Sequence, residues 1–403
     1  MAAHHMTSLF SPHLQRSRGM RDLLPVDMRA FRRVEDAFRA SASRWGYEEV
    51  RTPTIEPYSL FTAAGALTPQ MLSRVYSFLD WDGWSGERVV LRPDSTIPVA
   101  RAAEDAGLPM PARLFYVQNV FRFTESDTGR EDWQCGIEYL GAPAVFGDIE
   151  VAAIACETLE ALGLQPQVHL SHAAITRSVA TAACPNDPAM TDLIARDGLA
   201  AILASSAELD PRLRAFIDLA TQQGEVALLG NIESLADAAP GSREALAELE
   251  GIARALVGSG REVVIDLAMP RDFEYYEGVV FDFHAAGESW GRGGRYSPNG
   301  PNTPDTACGL ALDASRLAGR SAGETRQPVV IGVLADTPAQ LGRALSVARA
   351  LHRSGIAAAL ADPASASPIT VTVSGESLVA RTPEGEQTMS SLDEVVGMLL
   401  RYK

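Results

Sequence analysis

The sequence predicts an α+β fold: an antiparallel sheet with flanking helices, a helical insertion and a small C-terminal α/β domain. Three observations carry that expectation. Residues 113–141 alternate side chains in two runs around Ser-Asp-Thr-Gly, the pattern of a hairpin. Residues 184–258 are rich in Ala, Leu, Glu and Asp at helical spacing and are punctuated by Pro185, Pro188, Pro211 and Pro240. Residues 328–403 read as strand, helix, strand, strand and helix in a short span.

Taken in order, Pro25 opens a helix over about 26–44, because Phe31, Val34, Phe38 and Trp45 recur near helical spacing. A strand from Tyr47 to Thr52 follows and ends at Pro53. Another strand, Arg88 to Arg92, runs into Asp94, Ser95 and Thr96, any of which can cap the helix Ile97 to Ala106. In the hairpin, Leu114, Tyr116, Gln118 and Val120 share one face, and Phe115, Val117, Asn119 and Phe121 share the other. So apolar a pair belongs in a sheet interior, where Arg122, Gln134 and Glu138 need partners: either one another or a bound polar group.

Asp148 is expected to cap a helix that stops at Gly163, and Val168 to Ser171 reads as a strand. His169 and His172 are three apart with no third ligand in view, so they read as structural. The sheet resumes at Glu262 to Leu267 and through Glu274 to His284, while Gly291, Gly293 and Gly294 permit close approach by a ligand or a strand. After a linker, strand 329–334, helix 338–354 with a stop at Gly355, strands 357–360 and 369–373 and a helix capped by Ser391 and Glu394 complete the chain.

Composition narrows the chemistry. At 403 residues the chain suggests two or three domains. Cys135, Cys156, Cys184 and Cys308 are widely spaced, which argues against a zinc site or disulfide framework and for reduced thiols in or near the core. No signal peptide or membrane span is read, and a cytoplasmic location is expected. A net charge of −16 suits nucleic-acid binding poorly. Lys403 is the only lysine, which excludes P-loop and Schiff-base chemistry.

Several motifs now fall in one order. Arg18 to Pro25, Tyr47 to Pro53, Leu91 to Thr96 with Arg101, residues 113–141, Arg271 to Gly278, Gly293 to Tyr296 and Gly309 to Leu317 together resemble the class II aminoacyl-tRNA synthetase fold, in its histidyl-tRNA synthetase branch. The resemblance covers about residues 18–318 and implies that Asp94, Thr96, Gln134 and Glu138 line a histidine pocket closed by Arg271, Tyr275 and Tyr276. The chemistry agrees, since free histidine brings an ammonium, a carboxylate and an imidazole with one donor and one acceptor.

The nucleotide half departs from the family pattern. Arg122 and Arg316 keep their positions, but Glu125, Asp127, Glu131 and Asp132 surround Arg130 in a shortened turn. Ser315 and Ser297 stand where the family carries acids. Arg122, Arg130 and Arg316 are thus expected to be a vestigial nucleotide site. From Pro328 to Lys403 there are six basic and seven acidic residues, unlike a tRNA-binding domain.

This pattern resembles the ATP phosphoribosyltransferase regulatory subunits, paralogues of the synthetase. It implies a non-catalytic, histidine-sensing subunit of histidine biosynthesis. Its partners would be a short-form ATP phosphoribosyltransferase catalytic subunit, free histidine as effector and a second copy in a self-dimer, with no nucleic acid, membrane, cofactor or metal. The alternatives are a divergent histidyl-tRNA synthetase and a scaffold subunit without histidine sensing. The expected domains are an arm at 1–17, the synthetase-like domain at 18–318 with its insertion at about 184–258, a linker at 319–327 and the C-terminal domain at 328–403.

Overall fold

The computed structural model describes residues 16–63, 72–81, 86–126, 129–185, 187, 199, 202, 209–269, 276–298, 306–321, 329–362 and 367–402. The chain divides into two compact units, residues 1–323 and 324–403.

In the first unit the strands are β1 (Glu48–Glu49), β2 (Ile55–Pro57), β3 (Ser77–Trp81), β4 (Gly86–Leu91), β5 (Ala112–Phe121), β6 (Glu131–Leu140), β7 (Gln167–His172), β8 (Gln223–Gly224), β9 (Glu262–Asp266), β10 (Tyr276–Ala285), β11 (Glu288–Tyr296) and β12 (Ala307–Asp313). Nine of them form one sheet in the order β1-β5-β6-β12-β11-β10-β7-β9-β8. Only β1 with β5 and β7 with β9 run parallel; the other pairings are antiparallel. β2, β4 and β3 make a small separate antiparallel sheet.

Alternation along the strands gives the large sheet two unlike faces. Phe115, Val117, Cys135, Ile137, Phe281, Phe283, Cys308 and Leu312 point into the main core. Helices Pro25–Arg44, Phe146–Ala161 and Ser242–Gly258 cover it with Phe31, Val34, Phe38, Ile154, Leu159, Leu249 and Ile252. Leu114, Tyr116, Val280 and Tyr296 lie on the other face in a smaller cluster, among buried polar groups. The helices Pro211–Ala220, Ala227–Glu233 and Ser242–Gly258 occupy the stretch of helical composition.

Local chemistry explains several boundaries and corrects others. The expected strand Tyr47 to Thr52 pairs only at Glu48–Glu49; beyond it, Arg92 gathers Thr52 O at 2.8 Å, Pro53 O at 2.9 Å and Asn119 O at 2.7 Å. Asp148 is not the N-cap residue. It sits in the first turn of Phe146–Ala161 and accepts the Val145 N–H at 2.8 Å. Gly163 stops that helix region at φ 79°. The three glycines of β11 serve strand packing: side chains at Gly291 and Gly293 would collide with β12, and one at Gly294 with Tyr276. Cys135, Cys156 and Cys308 are buried free thiols, and Cys184 is half-buried.

The second unit holds β13 (Ile331–Ala335), β14 (Ala358–Leu360), β15 (Thr370–Ser374), β16 (Ser377–Thr382) and β17 (Gly385–Met389) in the order β14-β13-β15-β16-β17. Helices Leu341–Arg353 and Leu392–Leu399 pack Leu351, Val395 and Leu399 with Val333, Val371 and Val373. Ser391 Oγ accepts the Glu394 N–H at 3.3 Å, the expected cap. β16 and β17 were not expected: β17 is exposed except at Met389, so its sequence lacks an apolar stripe.

A buried ion pair ties the sheet to the helical layer. Arg295, on β11, donates to Asp148 Oδ2 at 2.9 Å, Ala142 O at 3.0 Å and Pro143 O at 3.1 Å, with the Asp148 side chain fully buried. Removing one member of such a pair strands the other charge. Arg295→Ala is therefore expected to cost about 3–5 kcal/mol in urea unfolding; a loss below about 1 kcal/mol would contradict this role.

Candidate functional site

The polar face of the sheet converges on Glu138. Its neighbours across β6 are Leu114 on β5 and Gly309 on β12, which puts the carboxyl in the middle of the sheet with no exposure. The Tyr296 hydroxyl donates to Glu138 Oε2 at 2.6 Å. Any side chain at position 309 would collide with that same oxygen, and one at Gly136 would collide with the Tyr116 ring, so both glycines are steric requirements.

Asp94, Thr96, Gln134, Glu138, Tyr276, Arg292 and Tyr296 line one cavity of about 30 Å³, roughly one water in the liquid. Asp94 reaches it from the loop after β4 and also caps the following helix, its Oδ1 accepting the Thr96 N–H at 3.0 Å. Arg292 enters from β11, braced by Asp282 at 2.8 Å. Ser95 Oγ, Tyr116 Oη, Gln134 Oε1 and Glu138 Oε1 are buried with no hydrogen-bond partner among the described residues. Buried polar atoms normally have partners, so this concentration marks a place for a polar ligand or ordered water.

Burial dominates the electrostatics. It pushes the Glu138 carboxyl up to about 8; the Tyr296 hydroxyl opposes the shift, the Thr96 and Tyr116 hydroxyls oppose it from longer range, and Asp94 reinforces it. Burial also raises Asp94, against the pull of Arg122 and of the Ile97, Thr96 and Ser95 N–H groups. The Tyr116 and Tyr296 phenols are held well above their ordinary value by burial and then by the Glu138 charge. At neutral pH, Glu138 therefore carries a proton on a carboxyl whose second oxygen is unpartnered.

Of the residues expected from sequence, Asp94, Thr96, Gln134, Glu138 and Tyr276 come together around this cavity, while Arg271 and Tyr275 lie outside the described residues. Tyr296 and Tyr116 fell within quoted motifs but were not assigned to the pocket, and Arg292 was not singled out. Tyr296 and Arg292 lie four apart on β11, and Tyr116 faces Gly136 across β5 and β6, so two-residue periodicity was the available signal. His169 stacks on His284 with centroids 4.1 Å apart, and His172 accepts the Ala174 N–H at 3.2 Å.

The three arginines expected at a vestigial nucleotide site make protein contacts, and Arg122 also acts on Asp94. Arg122 Nε donates to Pro93 O at 2.7 Å, and Arg130 Nε donates to Thr124 O at 2.8 Å. Arg18 and Gly19 dock on the same turn, through Glu125 O at 2.9 Å and the Arg130 N–H at 3.2 Å. Arg316 donates to Glu288 Oε2 and Ser289 O, both at 2.8 Å. Ser315 Oγ accepts the Trp133 N–H at 2.8 Å, and Ser297 donates to Glu277 at 2.6 Å.

The sequence model of the histidyl-tRNA synthetase family matches residues 19–317. An ATP phosphoribosyltransferase regulatory subunit from Dehalococcoides mccartyi is 43% identical over 75% of this chain and 76% of its own length. The chain belongs to the ATP phosphoribosyltransferase regulatory subunit family, within the histidyl-tRNA synthetase superfamily. A histidine–tRNA ligase from Archaeoglobus fulgidus is 29% identical over 86% of this chain and 85% of its own. Among solved structures, an ATP phosphoribosyltransferase regulatory subunit/histidyl-tRNA synthetase from Bacillus halodurans shares the fold at TM-score 0.74 and 24% identity, over 87% of this chain and 93% of the other. The family's fold is class II synthetase-like. Among the described residues no helix is long and apolar enough to cross a membrane.

The raised Glu138 value has a consequence for stability. The unfolded chain loses this proton near 4.5, whereas the folded protein keeps it to about 8. The contribution is thus fully present below pH 4.5 and is lost as pH rises toward 8. Glu138→Gln keeps an acceptor for Tyr296 and has no proton to lose. In thermal melts its Tm is expected to gain on that of the parent chain between pH 4.5 and 8; a pH-independent difference would contradict the assignment.

Proposed function

We propose that this chain is the histidine-sensing regulatory subunit of an ATP phosphoribosyltransferase and forms no aminoacyl adenylate itself. The observation that carries the reading is the set of unpartnered buried polar atoms around Glu138. Histidine supplies what they lack. Its ammonium suits Asp94 and Gln134 Oε1, and its unprotonated ring nitrogen suits the proton on Glu138. Arg271, with Tyr275 and Tyr276, would close over the carboxylate, as the family pattern implies. The catalytic partner would be a short-form ATP phosphoribosyltransferase in the cytoplasm, and the chain would pair with a second copy through its synthetase-like unit.

Feedback needs two conformations that differ in affinity for the effector. Histidine would displace the equilibrium toward whichever conformation of the complex binds it better. Some relatives are named histidine–tRNA ligase, which makes an adenylate-forming enzyme the second reading. The acidic 125–132 turn and the engagement of Arg316 with Glu288 weigh against it.

The test is to combine the chain with a short-form phosphoribosyltransferase and assay that enzyme with and without histidine. Co-purification, altered activity and inhibition by histidine are expected. Tyr296→Phe is expected to raise the histidine concentration for half-inhibition about tenfold, the worth of one hydrogen bond of about 1.4 kcal/mol. Unaltered activity sinks the regulatory reading, and histidine-dependent ATP–pyrophosphate exchange by the chain alone supports the ligase instead.

A further inference from the structure

The cavity beside Glu138 has a deep end and a shallow end. Cross-strand register puts Glu138, Gly309 and Gly294 in one row of the sheet, and all three are buried. One pleat along, towards Gln134, the next row on the same face is Gly136, Ala311, Arg292 and Asp282. Here Gln134, Ala311 and Arg292 are only half-buried, so this end lies nearer to water. Between Glu138 and Arg292, β12 presents Gly309 and Ala311 to this face, a floor with nothing larger than a methyl group.

Charge follows the same axis. Among the described residues, Asp94 and Glu138 are the acids that line the cavity, and Arg292 is the cation. Its guanidinium is held from behind. Asp282, whose side chain is 3% exposed, accepts the Arg292 Nε–H at 2.8 Å and the Ser289 hydroxyl at 2.5 Å. Its Oδ1 also lies 3.2 Å from Nε2 of His284, the ring that stacks on His169. An arginine gripped through Nε has its direction set, and its terminal N–H fork is the part that matches a carboxylate. A ligand with only a ring and an ammonium brings nothing for this cation. A zwitterion does.

The geometry points to Arg292 as the residue that makes the site select ligands with an α-carboxylate: ring at Glu138, ammonium at Asp94 and Gln134, carboxylate at Arg292 on the shallow end. Asp282 is its positioning residue. Such selectivity rests on the amino-acid-binding reading of the same site, and it is carried by a residue outside the set expected from the sequence.

Titration calorimetry of the full chain with L-histidine and with L-histidinol reads the selectivity as a ratio of affinities. Histidinol keeps the ring and the ammonium and carries a hydroxymethyl group in place of the carboxylate. Histidine is expected to bind the parent chain about tenfold more tightly than histidinol, the worth of a charge-assisted contact. Arg292→Gln is expected to weaken histidine about tenfold and to leave histidinol within about twofold, so that the preference disappears. Retained histidinol binding shows that the variant pocket is folded. Asp282→Asn keeps an acceptor for Arg292 but loses the charge, and is expected to lower the ratio part-way. A parent chain with no preference for histidine, or a folded Arg292→Gln chain with the ratio intact, overturns the role of Arg292 and leaves histidine sensing standing. Failure of both ligands to bind the parent chain overturns the sensing reading and the selectivity with it. If Arg292→Gln does not fold, Arg292→Lys decides: it keeps the charge without the fork and is expected to lower the ratio about threefold, and an unchanged ratio overturns the assignment.

Discussion

A carboxyl buried in the middle of a sheet is the constraint from which the rest of the site follows. Glu138 has no exposure, and burial alone makes its charged form costly. The protein keeps the proton on it, gives one oxygen the Tyr296 hydroxyl and leaves room for that same oxygen by having glycine at 309. The next residue along β11, Arg295, points to the opposite face and ties residues 142–148 to the sheet. One strand therefore holds the polar side and the helical side of the sheet in a fixed relation.

The two ends of the polar face differ in a consistent direction. The half that would receive an amino acid has unsatisfied polar atoms facing a small cavity. In the other half, Arg316 is taken by Glu288 and Ser289, Ser315 by the backbone of Trp133, and the 122–130 turn by the N-terminal Arg18 and Gly19. Phosphate oxygens would have to displace those contacts and face Glu125, Glu131 and Asp132. Amino-acid recognition without adenylate chemistry is what a sensor requires.

Much of this was legible in the sequence because strand alternation is a strong signal. The split of residues 114–121 between two faces, the phase of Gln134 with Glu138, and the stops at Gly163 and Gly355 follow from local rules. What escaped notice depends on tertiary partners. The strand after Tyr47 is cut short because Arg92 draws the Thr52 and Pro53 carbonyls away. Asp148 lies within the first turn of its helix, where it accepts the Val145 N–H and is held by Arg295 from far along the chain. Tyr296 gains its importance only once β11 and β12 are laid beside β6, and β17 has too few buried side chains to announce itself.

Titration calorimetry of free histidine against the chain tests the central claim most directly. The account predicts saturable binding that needs no ATP and is lost in Glu138→Ala, which removes the carboxyl around which the pocket is built. No heat from histidine, with the chain alone and with its catalytic partner bound, would contradict it and leave a subunit that acts by contact only.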